Sequence, residues 1–177
     1  TGAEGGPWYS THLSYDMPTS SVTKLGSGAF TNASNSLTPP QPYIMYSWKS
    51  IEGYSKIGSY VATGDAAEDS FDNMIYLGFR PKFLMVKNVD ATGGGGSGNW
   101  CIVDTERDTY NPTDARLEAD TTNIENGDSR SPDIDLYANG FKIRCGASDG
   151  KYEWNWTGQT YIYIAFAETP FKYANAR

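Results

Sequence analysis

The chain has 177 residues, with 19 glycines, nine prolines, an aromatic fraction of 14% and a formal net charge of −7. The negative charge argues against nucleic-acid binding, because a surface that follows phosphates needs clustered lysine and arginine. Membrane insertion is not expected either. No apolar run approaches the ~20 residues of a spanning helix, and the start at Thr1 lacks the apolar segment of a signal peptide.

Residues 1–50 divide into four segments, of which the first, 1–19, shows little hydrophobic periodicity. Positions 1–19 form a lead-in rich in Gly, Pro and Tyr, 21–26 predict a short strand, and 27–42 predict a loop with asparagine and proline turns. Residues 43–49, Tyr-Ile-Met-Tyr-Ser-Trp-Lys, predict a core strand, because aromatic and β-branched side chains favour a pleated surface.

Residues 51–177 predict seven short strands without a crossover helix. The dipeptide Asn139-Gly140, between two alternating segments, is typical of a type I′ hairpin turn. Many short strands joined by turns indicate an all-β fold, namely an antiparallel β-sandwich of jelly-roll or concanavalin-lectin-like type. The predicted strands are 55–62, 73–79, 82–89, 99–104, 133–137, 141–145 and 161–167.

The stretch 161–167 is the centre of this prediction. It is an unbroken apolar and aromatic run, so we expect a central strand that is covered on both faces. Residues 41–48 match 159–166 position for position at an offset of 118 residues, which predicts an internal repeat. On this interpretation 51–177 is a complete β-sandwich domain, and 1–50 is the closing segment of a preceding repeat plus a linker.

Two loops differ from ordinary connections. The glycine-rich run 93–98 precedes a strand rather than a helix, so it predicts a mobile hairpin tip and not a phosphate-binding loop. Residues 105–132 form a long polar excursion, and a loop of that length is usually functional or a lid.

The residue types show no catalytic constellation. His12, the only histidine, lies in the irregular lead-in, so Ser-His-Asp and Cys-His arrangements are not expected, and a His-rich zinc site would need further histidines. The loop carboxylates are interpreted as solvated charges rather than a glycosidase pair, and the protein is predicted not to be an enzyme. No cofactor is predicted; a structural calcium ion in the loop 121–135 is the alternative. The carboxylates considered are Glu106, Asp108, Glu118 and Asp135.

Cys101 and Cys145 lie on separate predicted strands. We interpret them as small buried thiols of a protein made in a reducing cytoplasm. A disulfide would require the two strands to be neighbours in register.

Exposed aromatic side chains are the best functional signal. Trp154-Asn155-Trp156 predicts two indoles on the same side of an extended segment, and Trp100 and Tyr110 flank the long polar loop. Aromatic faces beside Asp and Asn bind sugar rings through apolar contact and hydrogen bonds. The alternative is that these side chains cap the sandwich core or pack against an identical subunit. The candidate glycan-binding residues are Trp154, Trp156, Trp100, Tyr110 and Asp149.

Several motif segments together point to a known family. They are Gly53-Tyr-Ser-Lys-Ile-Gly-Ser-Tyr60, Gly78-Phe-Arg-Pro81 running into Phe83-Leu-Met-Val-Lys87, Asn99-Trp100, Asn139-Gly-Phe-Lys142 and the run from Gly158 to Glu168. With these motifs, 51–177 resembles a repeated C-terminal β-domain of tail-fibre and other virion structural proteins of tailed bacteriophages. Residues 1–50 resemble the closing portion of a preceding copy. The two cysteines and the long glycine-rich tip depart from the family pattern.

The resemblance implies a lectin-like sandwich in a non-enzymatic virion protein, trimeric like most phage fibres. The expected function is a tail-fibre or tail-tip domain that attaches to a host-surface glycan, with identical subunits and other virion proteins as partners. A capsid-decorating or fibre-connecting protein without a receptor role is the second hypothesis, and a carbohydrate-active enzyme of sandwich fold is the third. The expected location is the virion, at the tail or outer surface, after synthesis in the host cytoplasm.

Overall fold

Five stretches of the chain define the fold. The computed structural model describes residues 46–64, 74–91, 98–125, 134–144 and 154–169. The chain forms two compact units, Thr1–Ser47 and Trp48–Arg177, and the strands described below all belong to the second unit. The predicted strand at 21–26 lies outside the described residues.

The described residues form eight strands, and every strand pair is antiparallel. No helix in the described stretches is long and apolar enough to cross a membrane. All seven strands predicted for 51–177 are present, with ends that differ by at most three residues. The strands are β1 (Ser55–Val61), β2 (Met74–Tyr76), β3 (Pro81–Asn88), β4 (Cys101–Asp104), β5 (Leu117–Glu118), β6 (Ile134–Tyr137), β7 (Gly140–Ile143) and β8 (Thr160–Ala167).

The strands form two sheets that face each other. The larger sheet has the order β1-β8-β3-β4-β5, and the smaller has the order β2-β7-β6. Strand β8 lies inside the larger sheet, with β1 on one side and β3 on the other. The prediction of an all-β antiparallel sandwich is confirmed. The finer assignment to a jelly-roll or concanavalin-like topology stays a prediction.

Aromatic rings join the two sheets across the core. The Phe141 ring from β7 meets Tyr163 of β8 edge-on, with centroids 5.7 Å apart, and meets Tyr60 of β1 at 6.3 Å. Tyr60 stacks in turn on Tyr161 at 5.0 Å. Rings of this size bury large apolar areas, and edge-to-face pairs add about 0.5–1.5 kcal/mol each. The inner side chains include Leu84, Val86, Val103, Ile134, Leu136, Ile143 and Trp154.

Strand β8 is covered by the smaller sheet on one face only. On its other face, one side chain from each strand of the larger sheet forms a cross-strand row, here called the apolar row. Ile164 is buried within this row, and the other members keep part of their surface exposed. Among the described residues, the cover predicted for both faces of β8 is found on the inner face, whereas the outer face presents apolar groups where polar ones are usual. The apolar row consists of Ile57, Ile164, Met85, Ile102 and Leu117.

The core strand predicted at 43–49 is wrong for the residues that are described. Residues 46–50 form no strand, and Tyr46 and Trp48 are both exposed. Instead, the Ser50 hydroxyl bonds the backbone of Ile57 on the free edge of β1. It accepts from the Ile57 N–H at 3.0 Å and donates to the Ile57 carbonyl at 3.3 Å. An apolar run becomes a buried strand only where neighbouring strands pair with it, and at 46–48 no such pairing occurs. The proposed repeat is thus not a structural repeat over 46–48.

The polar excursion at 105–132 builds one edge of both sheets. Its residues Leu117–Glu118 form β5 beside β4. Further back, Thr113 exchanges two backbone hydrogen bonds with Ile134 of β6, at 2.7 and 3.1 Å. The Asn111 amide both donates to and accepts from the Leu136 backbone, at 3.2 and 2.9 Å. The described part of this loop is therefore a framework element that covers exposed strand edges. Residues 126–133 lie outside the described stretches.

The β6–β7 hairpin is present, but its turn lies one residue before the predicted one. Tyr137 pairs with Gly140, so Ala138 and Asn139 are the loop residues and Gly140 belongs to β7. A Cβ on Gly140 would lie 2.1 Å from the Ile75 carbonyl oxygen of β2. The glycine is therefore required for the close approach of two strands.

Replacing Gly140 with alanine should destabilise the fold, because the new methyl group meets a backbone oxygen that cannot rotate away. We expect a loss of about 1–3 kcal/mol in the free energy of unfolding, measured by urea denaturation. Gly98→Ala is the matched control, since among the described residues its Cβ would meet Ala91 at 3.5 Å, an ordinary contact. Equal urea midpoints for Gly140→Ala and the wild-type chain would contradict this account.

Candidate ligand-binding site

Two of the predicted aromatic residues lie at one end of the sandwich, where β3 ends and β8 begins. This end, here called the loop end, comprises residues 88–91, 98–100 and 154–160. Backbone and side-chain bonds hold it together: Val89 donates to the Thr160 carbonyl at 3.0 Å, and Thr160 donates to the Asp90 carboxylate at 2.6 Å. The loop end is therefore attached to the strands on both sides of it.

Trp156 is the most accessible of the predicted tryptophans, with 40% of its surface exposed. Its backbone N–H donates to the Tyr161 hydroxyl at 2.9 Å. Tyr161 is fully buried, and its hydroxyl also accepts from the Asn88 amide at 3.2 Å. The indole thus projects from a backbone position that the core fixes.

Trp154 faces the opposite way. It is fully buried in the core, and its carbonyl accepts a hydrogen bond from the Tyr60 hydroxyl at 2.7 Å. Its indole N–H has no hydrogen-bond partner in the described part of the structure. The prediction that both indoles share one side is wrong, because the chain is not extended over 154–158 and Trp154 packs into the core. Trp154 therefore contributes to folding rather than to a ligand surface.

Trp100 lies at the same end, immediately before β4. The Lys87 ammonium sits 5.5 Å from the Trp100 ring centroid and also donates to the Gly98 carbonyl. The backbone N–H of Trp100 donates to the Asp120 carboxylate at 3.0 Å. This cation–π contact and the backbone bonds fix a half-buried indole in place.

The remaining predicted residues do not join this pair. Tyr110 is 82% exposed, but it follows the turn at 105–108 beyond the far end of β4, so it lies at the opposite end of the sandwich from Trp100. Asp149 lies outside the described residues. Of the five predicted glycan-binding residues, the structure thus brings Trp100 and Trp156 to one end.

A buried network around the Glu118 carboxylate includes Asn99, the residue before Trp100. Glu118 of β5 faces Arg116 at 3.2 Å, and both side chains are almost fully buried. The Glu118 carboxylate also accepts hydrogen bonds from Thr121 at 2.9 Å and Asn123 at 2.8 Å. Burial alone would raise the pKa of Glu118, but the hydrogen bonds from Thr121, Asn123 and Asn99 and the Arg116 charge hold that pKa below its ordinary value.

Three carboxylates at and after the end of β4 have structural partners too, and two of them, Glu106 and Asp108, were named from the sequence. Asp104 accepts hydrogen bonds from the Glu106 and Arg107 backbone and from the Arg107 side chain. Burial would raise the pKa of Asp104, yet these bonds and the Arg107 charge keep it lowered. Asp108 accepts from the Asp114 N–H at 2.7 Å, and Glu106 pairs with Lys82 at 2.7 Å.

The metal and cysteine predictions fall partly outside what is described. In the described stretches, no group of three or more His, Cys, Asp or Glu side chains is placed to hold a metal ion. The part of the predicted calcium loop at 126–133 is not among these residues. Cys101 is fully buried in β4, and Cys145 lies outside the described residues.

Sequence reasoning missed a second exposed aromatic pair, Tyr76 and Tyr137. Both lie on the outer face of the smaller sheet, and each is the direct cross-strand neighbour of Gly140. Because side chains alternate along 133–137, Tyr137 lies on the opposite face from the buried Ile134 and Leu136, and this alternation could have predicted that it faces outward. The pairing with Tyr76 depends on the register of β2 against β7, which a single sequence does not reveal.

The fold and these surfaces define an antiparallel β-sandwich protein with exposed aromatic side chains at one end and on one sheet face. The chain belongs to the family described as "Domain of unknown function (DUF7483)", whose model matches residues 6–170. The match runs across the boundary predicted at residue 50. Searches of curated proteins and of solved structures gave no match. The family description names no activity or partner, so the resemblance to phage proteins stays a prediction.

The Glu118 network predicts a specific acid sensitivity. Its lowered pKa means that the ionised carboxylate stabilises the folded state above the ordinary Glu pKa of about 4.3, and that this contribution is lost as the pH falls through the lower, folded-state value. Thermal midpoints measured from pH 7 to pH 3 should fall more steeply in the wild-type chain than in Glu118→Gln, which should be less stable at neutral pH. Parallel midpoint curves for the two chains would show that the network contributes no linkage.

Proposed function

We propose that the protein is a non-enzymatic structural component of a bacteriophage virion, most directly a tail-fibre or tail-tip domain that attaches to a host-surface glycan. In this proposal identical subunits, as a homotrimer, and other virion proteins contact the sandwich body. The loop end carries the glycan contact. The protein acts at the tail or outer surface of the virion after synthesis in the host cytoplasm.

The observation that carries the proposal is the apolar row on the outer face of the larger sheet. Five strands separated by about 4.8 Å give a row of roughly 19 Å. The row continues into further apolar neighbours on the same face, including Phe83 and Phe166, whose rings lie 6.0 Å apart. The solvated face of an antiparallel sheet normally carries polar side chains, and a contiguous apolar patch marks an interaction surface. A face of this kind suits a protein that works by assembling with other chains.

Three of the motif segments of the phage resemblance meet at one corner of the fold. Arg80, from the Gly-Phe-Arg-Pro motif, pairs with Glu168 at the end of β8 at 2.7 Å. The Glu168 N–H donates to the Arg80 carbonyl at 2.9 Å, and Ala167 donates to Tyr54 at 2.8 Å. These residues join the start of β1, the β2–β3 connection and the end of β8. These motif residues thus hold the sandwich together in this chain, which fits a resemblance in architecture rather than in ligand.

The attachment role rests on the loop end. Trp156 and Trp100 are indoles held on fixed backbone, and an aromatic face of this kind binds the apolar side of a sugar ring. Pre-organised rings lose little conformational entropy on binding. The second hypothesis, a capsid-decorating or fibre-connecting protein, is favoured by the apolar row alone and predicts no glycan contact at all.

Assembly through the apolar row is testable with one charge. Met85→Lys places an ammonium at the centre of the row, where burial against another chain would be costly. We expect the wild-type chain to sediment as an oligomer and Met85→Lys to sediment as a monomer, by analytical ultracentrifugation at matched concentrations. Tyr110→Lys is the control, because it adds the same charge at an exposed position away from the row. A monomeric wild-type chain, or a variant that still associates, would exclude this face as the interface.

The glycan role is testable on an immobilised glycan array. Trp156→Ala should reduce binding to the recognised glycan roughly three- to tenfold, since one aromatic stack contributes about 0.5–1.5 kcal/mol. Tyr110→Ala, exposed at the opposite end, should bind as the wild-type chain does. No binding by the wild-type chain would favour the purely structural hypothesis. Turnover of a polysaccharide that is lost when a loop carboxylate is replaced would favour the sandwich-fold enzyme.

A further inference from the structure

We propose a second saccharide-binding site on the outer face of the smaller sheet, between the rings of Tyr76 and Tyr137. This surface, here called the tyrosine platform, consists of Met74, Tyr76, Tyr137 and Gly140. It lies on strands β2, β7 and β6, whereas the loop end lies at the ends of β3 and β8. The inference therefore goes beyond the proposed attachment surface and does not depend on it.

The sheet register places the two rings in one row. Gly140 is paired with Tyr137 on one side and with Tyr76 on the other. The adjacent row, Leu136, Phe141 and Ile75, faces the core. Because side chains alternate between faces, both tyrosines point away from the core. Their exposed fractions, 63% for Tyr76 and 41% for Tyr137, agree with this placement.

A shallow apolar floor separates the two tyrosines. Gly140 has no side chain, and the Met74 methyl carbon lies 3.1 Å from where a Cβ would stand. Two strand spacings, roughly 9.5 Å, lie between the two tyrosine backbones. The platform is therefore a pair of rings with a low, non-polar gap between them. A ligand that touches both rings must be longer than one sugar ring.

Charged side chains hold each ring in position. The Lys56 ammonium of β1 donates to the Tyr76 carbonyl at 2.9 Å and lies 5.7 Å from the Tyr76 ring centroid. The Tyr137 hydroxyl donates to the Asp135 carboxylate at 3.1 Å, and Asp135 faces Arg144 at 3.7 Å. Burial, followed by the bond to Asp135, raises the pKa of Tyr137, so this hydroxyl remains a donor at neutral pH. Both rings are thus pre-organised before a ligand arrives.

The chemistry of the platform fits an oligosaccharide. Ring faces bind the apolar side of a pyranose, while the Asp135, Arg144 and Lys56 groups at the rim can exchange hydrogen bonds with sugar hydroxyls. Rings that served only to cover Gly140 would be buried against it, yet both keep a large exposed surface. The spacing of the rings selects a chain of sugar units over a monosaccharide.

The test is native affinity electrophoresis of the full chain in gels that contain soluble polysaccharides. The probes are a β-glucan, an α-glucan, a water-soluble polymeric chitin derivative and a uronate-containing polysaccharide. We expect at least one probe to retard the wild-type chain, and Tyr76→Ala and Tyr137→Ala each to weaken that retardation roughly three- to tenfold. Tyr76→Phe should retain binding, because the ring face is kept. Tyr110→Ala should migrate as the wild-type chain does.

The outcomes separate this site from the loop end. Loss of retardation in Tyr76→Ala with retention in Trp156→Ala supports the tyrosine platform, even if the loop end binds nothing. Retention in both tyrosine variants with loss in Trp156→Ala overturns the platform and leaves the attachment proposal standing. Failure of every probe to retard the wild-type chain also overturns the platform. Urea midpoints of the tyrosine variants within about 1 kcal/mol of wild type show that lost binding is not lost folding.

Discussion

Antiparallel pairing of β8 with both β1 and β3 is the constraint on which the rest of the structure depends. Seven residues of β1 are in register with β8, and β3 is in register along nearly its whole length. Every backbone group in the middle of β8 is thereby satisfied by a neighbouring strand, as burial requires. The inner side chains of β8 then meet Phe141 and Tyr60 from other strands. Its outer side chains bring Ile164 to the centre of the apolar row.

Polar side chains contribute to this fold in a way that hydrophobic patterning does not capture. The segment 105–125 carries few apolar residues, yet it joins both sheets through Asn111, Thr113 and β5. The cost of burying Glu118 is offset by its hydrogen bonds and by the Arg116 charge. The same segment positions Asp120, whose carboxylate bonds the Trp100 backbone. Folding of this loop and presentation of Trp100 are therefore one process.

The sequence predicted the strands well because their signals are local. Alternation at 133–137 and the apolar runs at 82–89 and 161–167 need no knowledge of the rest of the chain. The run at 43–49 has the same composition but no described strand pairing at 46–49. Composition reports that a segment suits a sheet, whereas pairing decides whether it enters one. The short strand β5 shows the converse, since β4 pairs with it although its two residues are too few to give a periodic hydrophobic signal.

The candidate site was harder to predict because it depends on direction and register. Trp154 and Trp156 are two residues apart, and an extended segment would place both on one face. The chain departs from extended geometry between 154 and 158, and one indole enters the core while the other stays outside. Tyr76 and Tyr137 are far apart in sequence and meet only through Gly140. Alternation in the sequence indicated that Tyr137 faces outward, but the sequence did not indicate that Tyr76 lies in the same row.

The Asn111 side chain limits edge-to-edge pairing between copies of the sandwich. The Asn111 amide occupies both backbone hydrogen-bonding groups of Leu136. A strand from another chain therefore cannot pair with β6 at that residue. The Ser50 hydroxyl does the same at Ile57 of β1, an edge strand of the larger sheet. Addition of a further strand to the sheets is therefore blocked at these two positions, one on an edge strand of each sheet.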